Sequence, residues 1–455
     1  MLLHGVGWAI IAIYFIVSLA IGLAVVRRAG SSASEYFLSG RNMPWWLLGT
    51  SMVATTFATD TPNLVTGLVR KDGVAGNWAW FSFLLTGMLT VFVFARLWSR
   101  SGVLTDMELY ELRYGGRSAA FLRGFRAVYL GVFFNVMIMA IVTLAAVKIG
   151  AVLLGFSPLQ TILAAAVTTV IYSSLGGLSG VLLTDFFQFI LAMSGSIAAA
   201  WFCVGLPQVG GLHRLLENEH VQGKLGMLPD FSPVSLESTI TVFILPLAVL
   251  WWSSWYPGSE PGGGGYIAQR MLAARNERHA VGATLLFNAA HYALRPWPWI
   301  LVALSSLVVF PDVASLASRF PHVDPQFVKD DLAYPAMLTF LPAGILGLVA
   351  ASLIAAYMST ISTHLNWGSS YVVNDVYRRF IRPDASERAL VRAGRLSTVL
   401  LMAAACIVAL WLEDAPQGFY ILLQVGAGTG LLFILRWFWW RINAWSEIAA
   451  MVVSF

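Results

Sequence analysis

The chain has 455 residues, of which 58% are hydrophobic and only 11% charged, with 18 Trp and 28 Phe. A soluble domain carries about 25% charged residues to wet its surface, so composition excludes a soluble multidomain enzyme, a disordered chain and a nucleic-acid-binding module. The formal charge of +5 therefore matters through its distribution along the chain. Cys203 and Cys406 are the only cysteines and both lie in apolar runs, which leaves neither a disulfide framework nor a cysteine metal site.

A helix that crosses a bilayer needs about 20 apolar residues. Taken in chain order, eleven stretches meet this length: 4–26, 45–68, 77–97, 125–154, 157–175, 179–205, 238–256, 280–310, 334–376, 394–412 and 416–438. The first is too long for a signal-peptide core and no small-residue cleavage site follows it, so it reads as a retained membrane helix. A twelfth apolar run starts near Ala444 and is still running at Phe455, which reads as a fragment lacking its later helices. With the N-terminus outside, 20 of the 28 Lys and Arg fall in or beside the cytoplasmic segments 27–44, 98–124, 257–279, 377–393 and 437–443. Six lie outside, and Lys148 and Arg295 lie within spans. The positive-inside rule selects this orientation, in a cell membrane.

Two of the crossings are poor lipid-facing helices. The second carries Thr50, Ser51, Thr55, Thr56, Thr59, Asp60, Thr61, Pro62 and Asn63. Pro62 removes an amide donor, and a carboxylate at the bilayer centre costs about 2.5–3.5 kcal/mol on insertion scales. The seventh ends in Trp255-Tyr-Pro-Gly-Ser-Glu-Pro-Gly-Gly-Gly-Gly265, which cannot continue a helix. Irregular backbone at membrane depth lines a cavity or is buried in protein. Two interrupted helices five crossings apart point to an inverted-repeat secondary transporter; the alternative for the glycine run is an ordinary cytoplasmic loop.

The ninth crossing holds Ser359, Thr360, Ser362 and Thr363 within five residues. Spacings of three and four put Ser359, Ser362 and Thr363 on one helix face. A hard monovalent cation takes a cage of five or six mostly neutral oxygens, which these hydroxyls and the carbonyls freed near Thr56 would provide. Asp185 on the sixth crossing is a candidate carboxylate for that cage, or else a water-bonded interfacial acid.

Four stretches resemble the sodium/solute symporter family, whose members carry sugars, proline, sialic acid or iodide with sodium. They are Gly176-Gly177 with Thr184-Asp185 and Gln188; Tyr266-Ile-Ala-Gln-Arg270; Ala355-Ala-Tyr-Met-Ser-Thr-Ile-Ser-Thr363; and Thr105-Asp-Met-Glu-Leu-Tyr-Glu-Leu-Arg-Tyr-Gly115. The resemblance covers essentially the whole chain. It implies an all-α membrane protein with a LeuT-like 5+5 inverted repeat: an additional helix at 4–26, a first five-helix repeat over 45–205, a second over 238–438, and an incomplete helix at 444–455. It further implies a sodium site made by the carbonyls of Ala54, Phe57 and Ala356 with the hydroxyls of Ser359 and Thr360. The positions matching a second sodium site are Ser359, Ser362, Thr363 and Asp185, and Gly176, Gly177, Gln188, Gln269 and Arg270 fill coupling or structural positions.

For the solute, the same resemblance points to Thr59, Asp60, Thr61 and Asn63 on the broken second crossing, Glu260 on the seventh, and His291 and Arg295 on the eighth. Sugar-carrying relatives have a gating aromatic on the seventh crossing where this chain has Pro257 to Gly265, which separates it from their binding arrangement. Arg295, followed by Pro296 and Pro298, requires a carboxylate, for which Asp60 and Glu260 are candidates; it either braces the kink or recognises a solute. The expected activity is import of a small polar organic solute (a sugar, amino acid or organic acid) by alternating access. Sodium is the co-transported ion, and neither an organic cofactor nor nucleic acid takes part. A membrane solute sensor on the same fold is the competing reading. An enzyme is not, because His213, His220, His279, His291, His322 and His364 show no ligand-like spacing and no nucleophile or phosphate-loop motif is present.

Overall fold

The computed structural model describes residues 5–149, 156–232, 236–248, 250–252, 261–321, 328–411 and 430–454. Among these residues the chain is helical throughout, with a lone backbone bridge between Met43 and Ala274. The helices that place the site are α1 (Gly5–Ala29), α2 (Trp45–Thr55), α3 (Thr61–Asp72), α4 (Leu84–Ser101), α5 (Gly116–Val147) and α6 (Pro158–Val204). They are followed by α7 (Leu236–Ala248), α8 (Gly265–Leu272), α9 (Glu277–Val309), α10 (Ala343–Ile381), α11 (Glu387–Trp411), α12 (Gly430–Phe438) and α13 (Ala444–Ser454). Among the described residues six helices are long and apolar enough to cross a membrane, and a seventh candidate is a pair bent by 44° between Phe81 and Leu84.

The sequence boundaries shift where local chemistry overrides apolar length. The expected crossings 157–175 and 179–205 run into one another with no loop, turning at Gly177, whose φ of 53° and ψ of −156° leave the helical region. A Cβ there would stand 2.7 Å from the Tyr36 carbonyl oxygen, so both the positive φ and the close approach require glycine. The expected crossing 334–376 is interrupted: a short helix, Ala333–Leu338, ends before Pro342, and α10 then runs unbroken to Ile381. The third crossing, expected to be regular, is the bent pair. Residues 253–260, with Glu260 among them, and 412–429 lie outside the described residues.

α6 and α10 pack along each other and α1 packs against both. The second crossing breaks as its composition dictates. α2 ends at Thr55, residues 56–60 are non-helical, and α3 restarts with Pro62 in its first turn, where a missing N–H costs nothing. α9 is also interrupted: the Arg295 amide reaches back five residues to the Ala290 carbonyl at 2.9 Å, and Pro296 follows. That wider turn accommodates the proline and swings Arg295 toward the break in α2.

Candidate ion and solute site

The interior holds a chain of polar groups where α2, α6, α8 and α10 meet. Thr360 Oγ1 donates to the Thr55 carbonyl at 3.0 Å or to Ala356 at 3.1 Å, and Thr55 and Thr363 hydroxyls lie 2.9 Å apart. The unwound end of α2 therefore touches the hydroxyl ladder of α10. Ala54, Phe57, Ala356, Ser359 and Thr360 are all buried. The Phe57 carbonyl receives no hydrogen bond from any described residue, whereas that of Ala54 accepts the Phe57 amide at 3.1 Å.

Asp185 is fully buried. It accepts the Ser51 hydroxyl at 2.5 Å and the Ser359 hydroxyl at 2.7 Å. A hydroxyl that binds a cation must direct its proton elsewhere, and Asp185 takes the Ser359 proton. Arg270, in the segment 257–279 read as cytoplasmic, is fully buried beside this acid, with Nη2 3.7 Å from Asp185 Oδ2. Its guanidinium donates to Thr363 at 2.7 Å, to Ser51 at 3.2 Å and to Gln269 at 2.8 Å. Removing two such charges from water costs several kcal/mol each, and this set of hydrogen bonds is what offsets it.

Of the positions matching a second sodium site, Ser359 and Asp185 meet directly. Thr363 is engaged by Arg270, and Ser362 donates back to the Ser359 carbonyl at 3.1 Å. The remaining residues tie the helices together. Gln269 donates to the Phe37 carbonyl and Asn366; Gln188 donates to Tyr14 at 2.7 Å, and Tyr14 to the Met358 sulfur. Gly176 sits against Gly22 and Val25 of α1.

Next to the break is a cavity of about 60 Å³, several times the 10–15 Å³ or so that one water occupies. Thr56 lines it, with Thr86 and Thr90 from α4, Tyr266 from α8 and Asn288 and His291 from α9. Of the described residues expected to bind solute, only His291 lies on this wall, and Glu260 is outside the described residues. Thr59 is buried, Thr61 and Asn63 are half-buried, and Asp60 is exposed, but none of them lines the cavity. Arg295 does not take Asp60 as a direct ion partner. It donates to the carbonyl and the hydroxyl of Thr56. A free peptide carbonyl at the C-terminal end of α2 is an acceptor strengthened by the helix dipole, which is why the guanidinium settles there.

The residues that the sequence reading passed over are Thr86, Thr90, Tyr266 and Asn288. Three α9 residues were legible as a stripe: Thr284, Asn288 and His291 recur at helical spacing within an apolar run. Tyr266 lies within a family-like motif, but its place on the cavity wall depends on how α8 is tilted.

A sodium:solute symporter family model matches residues 36–454. The chain belongs to the sodium:solute symporter family. It is 27% identical over 470 residues to a sodium/glucose cotransporter of Vibrio parahaemolyticus, covering 99% of this chain and 84% of that one. It is 28% identical over 479 residues to a sodium/mannose cotransporter of Bos taurus, covering 98% and 77%. In structure it is similar to a sodium-coupled sialic acid symporter in a substrate-bound outward-open state. The TM-score is 0.82 at 19% identity, over 99% of this chain and 90% of that one, a likeness of fold. This symporter is accordingly a multi-pass membrane protein, a sodium-coupled cotransporter rather than an enzyme.

Proposed function

We propose that this symporter imports a small neutral, hydroxyl-rich solute with sodium by alternating access, across a cell membrane with its N-terminus outside. The observation that carries this reading is Thr56, which belongs both to the break where α2 meets α10 and to the wall of the α4–α8–α9 cavity. One residue shared by the ion cradle and the solute cavity lets each occupant alter the other's affinity, and linkage makes the effect reciprocal. The ion is held by the carbonyls of Ala54, Phe57 and Ala356 and the hydroxyls of Ser359 and Thr360, with Asp185 orienting Ser359 from behind.

The choice of a neutral solute rests on the wall. Thr86, Thr90, Tyr266, Asn288 and His291 offer hydrogen bonds without a formal charge, and Asn288 Oδ1 is buried with no partner among the described residues. A buried orphan acceptor costs about 1–3 kcal/mol, which a solute hydroxyl recovers. The glucose and mannose carried by the two sequence relatives are solutes of this kind. Inward sodium movement releases about 2.3 kcal/mol per charge for each 100 mV of negative-inside potential, and this drives accumulation.

The decisive experiment is uptake of labelled hexoses, polyols, amino acids and organic acids into proteoliposomes under sodium and potassium gradients. Accumulation of a neutral polyol or hexose only with sodium is expected. Sodium-dependent binding without accumulation would favour a sensor, and preference for a carboxylate solute would overturn the neutral-solute assignment.

A further inference from the structure

We propose that Arg295 is a positioning residue for the sodium cradle rather than a contact for the solute. The inference rests on the cradle reading above and extends it to a residue outside the cradle. Arg295 is 2% exposed, and its Nη1 donates to both the carbonyl and the hydroxyl of Thr56, the hydroxyl at 2.9 Å. Its Nη2 lies 3.4 Å from His291 Nε2, while His291 Nδ1 lies 3.0 Å from the Thr56 hydroxyl. A guanidinium only donates, so Nε2 accepts and Nδ1 carries the proton that His291 gives to Thr56. That hydroxyl passes its own proton to the Val53 carbonyl at 2.9 Å. Arg295 thus donates to His291 and to Thr56, His291 donates to Thr56, and the set converges on the last turn of α2.

A second connection runs through aromatic rings. The guanidinium stacks 5.2 Å from the centre of Trp299, and Trp299 packs edge-on against Phe57 at 4.8 Å. Arg295 therefore acts on Thr56 by hydrogen bonding and on Phe57 through an intervening ring. The proposed carbonyl ligands Ala54 and Phe57 flank Thr56. By holding the Thr56 carbonyl, Arg295 removes it from competition for the ion and fixes the backbone on either side. His291 and Thr56 both face the cavity, so a solute that moves either one perturbs the same clamp. The positive charge of Arg295 faces the α2 carbonyl end and two aromatic rings, and Arg295 is not among the residues that line the cavity.

Sodium binding can be read without knowing the solute. Purified protein is titrated with sodium chloride against a choline background, following intrinsic tryptophan fluorescence, to which Trp80 and Trp299 beside Arg295 contribute. R295Q is expected to raise the half-saturating sodium concentration by about tenfold, the loss of one charge-assisted hydrogen bond, and to leave the solute KM at saturating sodium within roughly threefold. R295K, which keeps the charge but not the fork, is expected to restore part of the sodium affinity. A sodium midpoint in R295Q within about twofold of wild type, or a lost solute KM with the midpoint unmoved, overturns the inference. Should R295Q fail to fold, R295K decides: a raised midpoint supports the clamp and an unchanged one sinks it. T360A is measured alongside. If T360A leaves the midpoint unmoved, the cradle itself is misplaced; if T360A moves it and R295Q does not, only the role of Arg295 fails.

Discussion

Thr360 of α10 lies within hydrogen-bonding distance of the Thr55 carbonyl, at 3.0 Å, across 305 residues of sequence. This contact joins the unwound end of one helix to the hydroxyl face of another, and whatever occupies the space between them ties their motions together. T360A removes a hydroxyl without touching the apolar surface that drives insertion. Sodium-dependent uptake should need about tenfold more sodium at unchanged expression. The check is the sodium dependence of uptake measured together with the amount of protein in the membrane.

Asp185 and Arg270 share a fully buried site, so removing one partner strands the other. D185N should destabilise the protein by about 3–5 kcal/mol. R270Q combined with D185N should recover part of that loss, because the neutral pair strands no charge. Thermal unfolding of the two single variants and the double variant gives the coupling; strict additivity would mean that the two groups do not interact.

Asn288, in the cavity wall, has an oxygen with no partner among the described residues, while its amide donates to the Thr284 carbonyl at 2.8 Å. N288L keeps approximate volume and removes the acceptor. Solute KM should rise by about tenfold or more, with sodium binding in the absence of solute unchanged. A parallel loss of sodium affinity would show that the cavity and the cradle are not separable.

Gly177 admits no side chain. G177A places a methyl group against the Tyr36 carbonyl and imposes a positive φ on alanine, so folded protein in the membrane should fall sharply. The expected readout is loss of the monodisperse peak in detergent, at a cost of at least about 1–3 kcal/mol.

Glu111, outside the candidate membrane-spanning helices, joins the helix Glu108–Arg113 to the end of α10 through Arg379 at 2.8 Å and to α5 through Arg123 at 2.7 Å. The hydrogen bond from Arg379, ahead of that from Arg123, holds its carboxyl below the usual range. A carboxyl depressed on folding adds stability above its unfolded pKa and loses it as pH falls through the folded value. Melting temperature should therefore drop on acidification below about pH 4, and E111Q should flatten that part of the profile.

The polar content of 50–63 and 355–363 was enough to expose a broken helix and a buried hydroxyl-bearing face, because such residues have no reason to sit in lipid. Asn288 and Thr284 were equally visible as a polar stripe, but nothing in their spacing says which helix they face. Arg270 and Arg295 show the limit most clearly. One was assigned to the cytoplasm by its flanks and the other to a carboxylate by its charge. Arg270 donates to hydroxyls beside Asp185, and Arg295 donates to the carbonyl and the hydroxyl of Thr56, groups that carry no charge signal in a sequence, while Glu260 lies outside the described residues.

What the sequence determined alone is therefore what bilayer physics enforces locally: helices, an overall membrane location, the position of the break and the chemistry available at it. Which oxygens converge, which arginine answers Asp185, and which residues line the cavity were decided by tertiary packing. Those pairings join residues 93 to 308 positions apart, and their energy depends on distance through a low-dielectric interior that only the folded bundle creates.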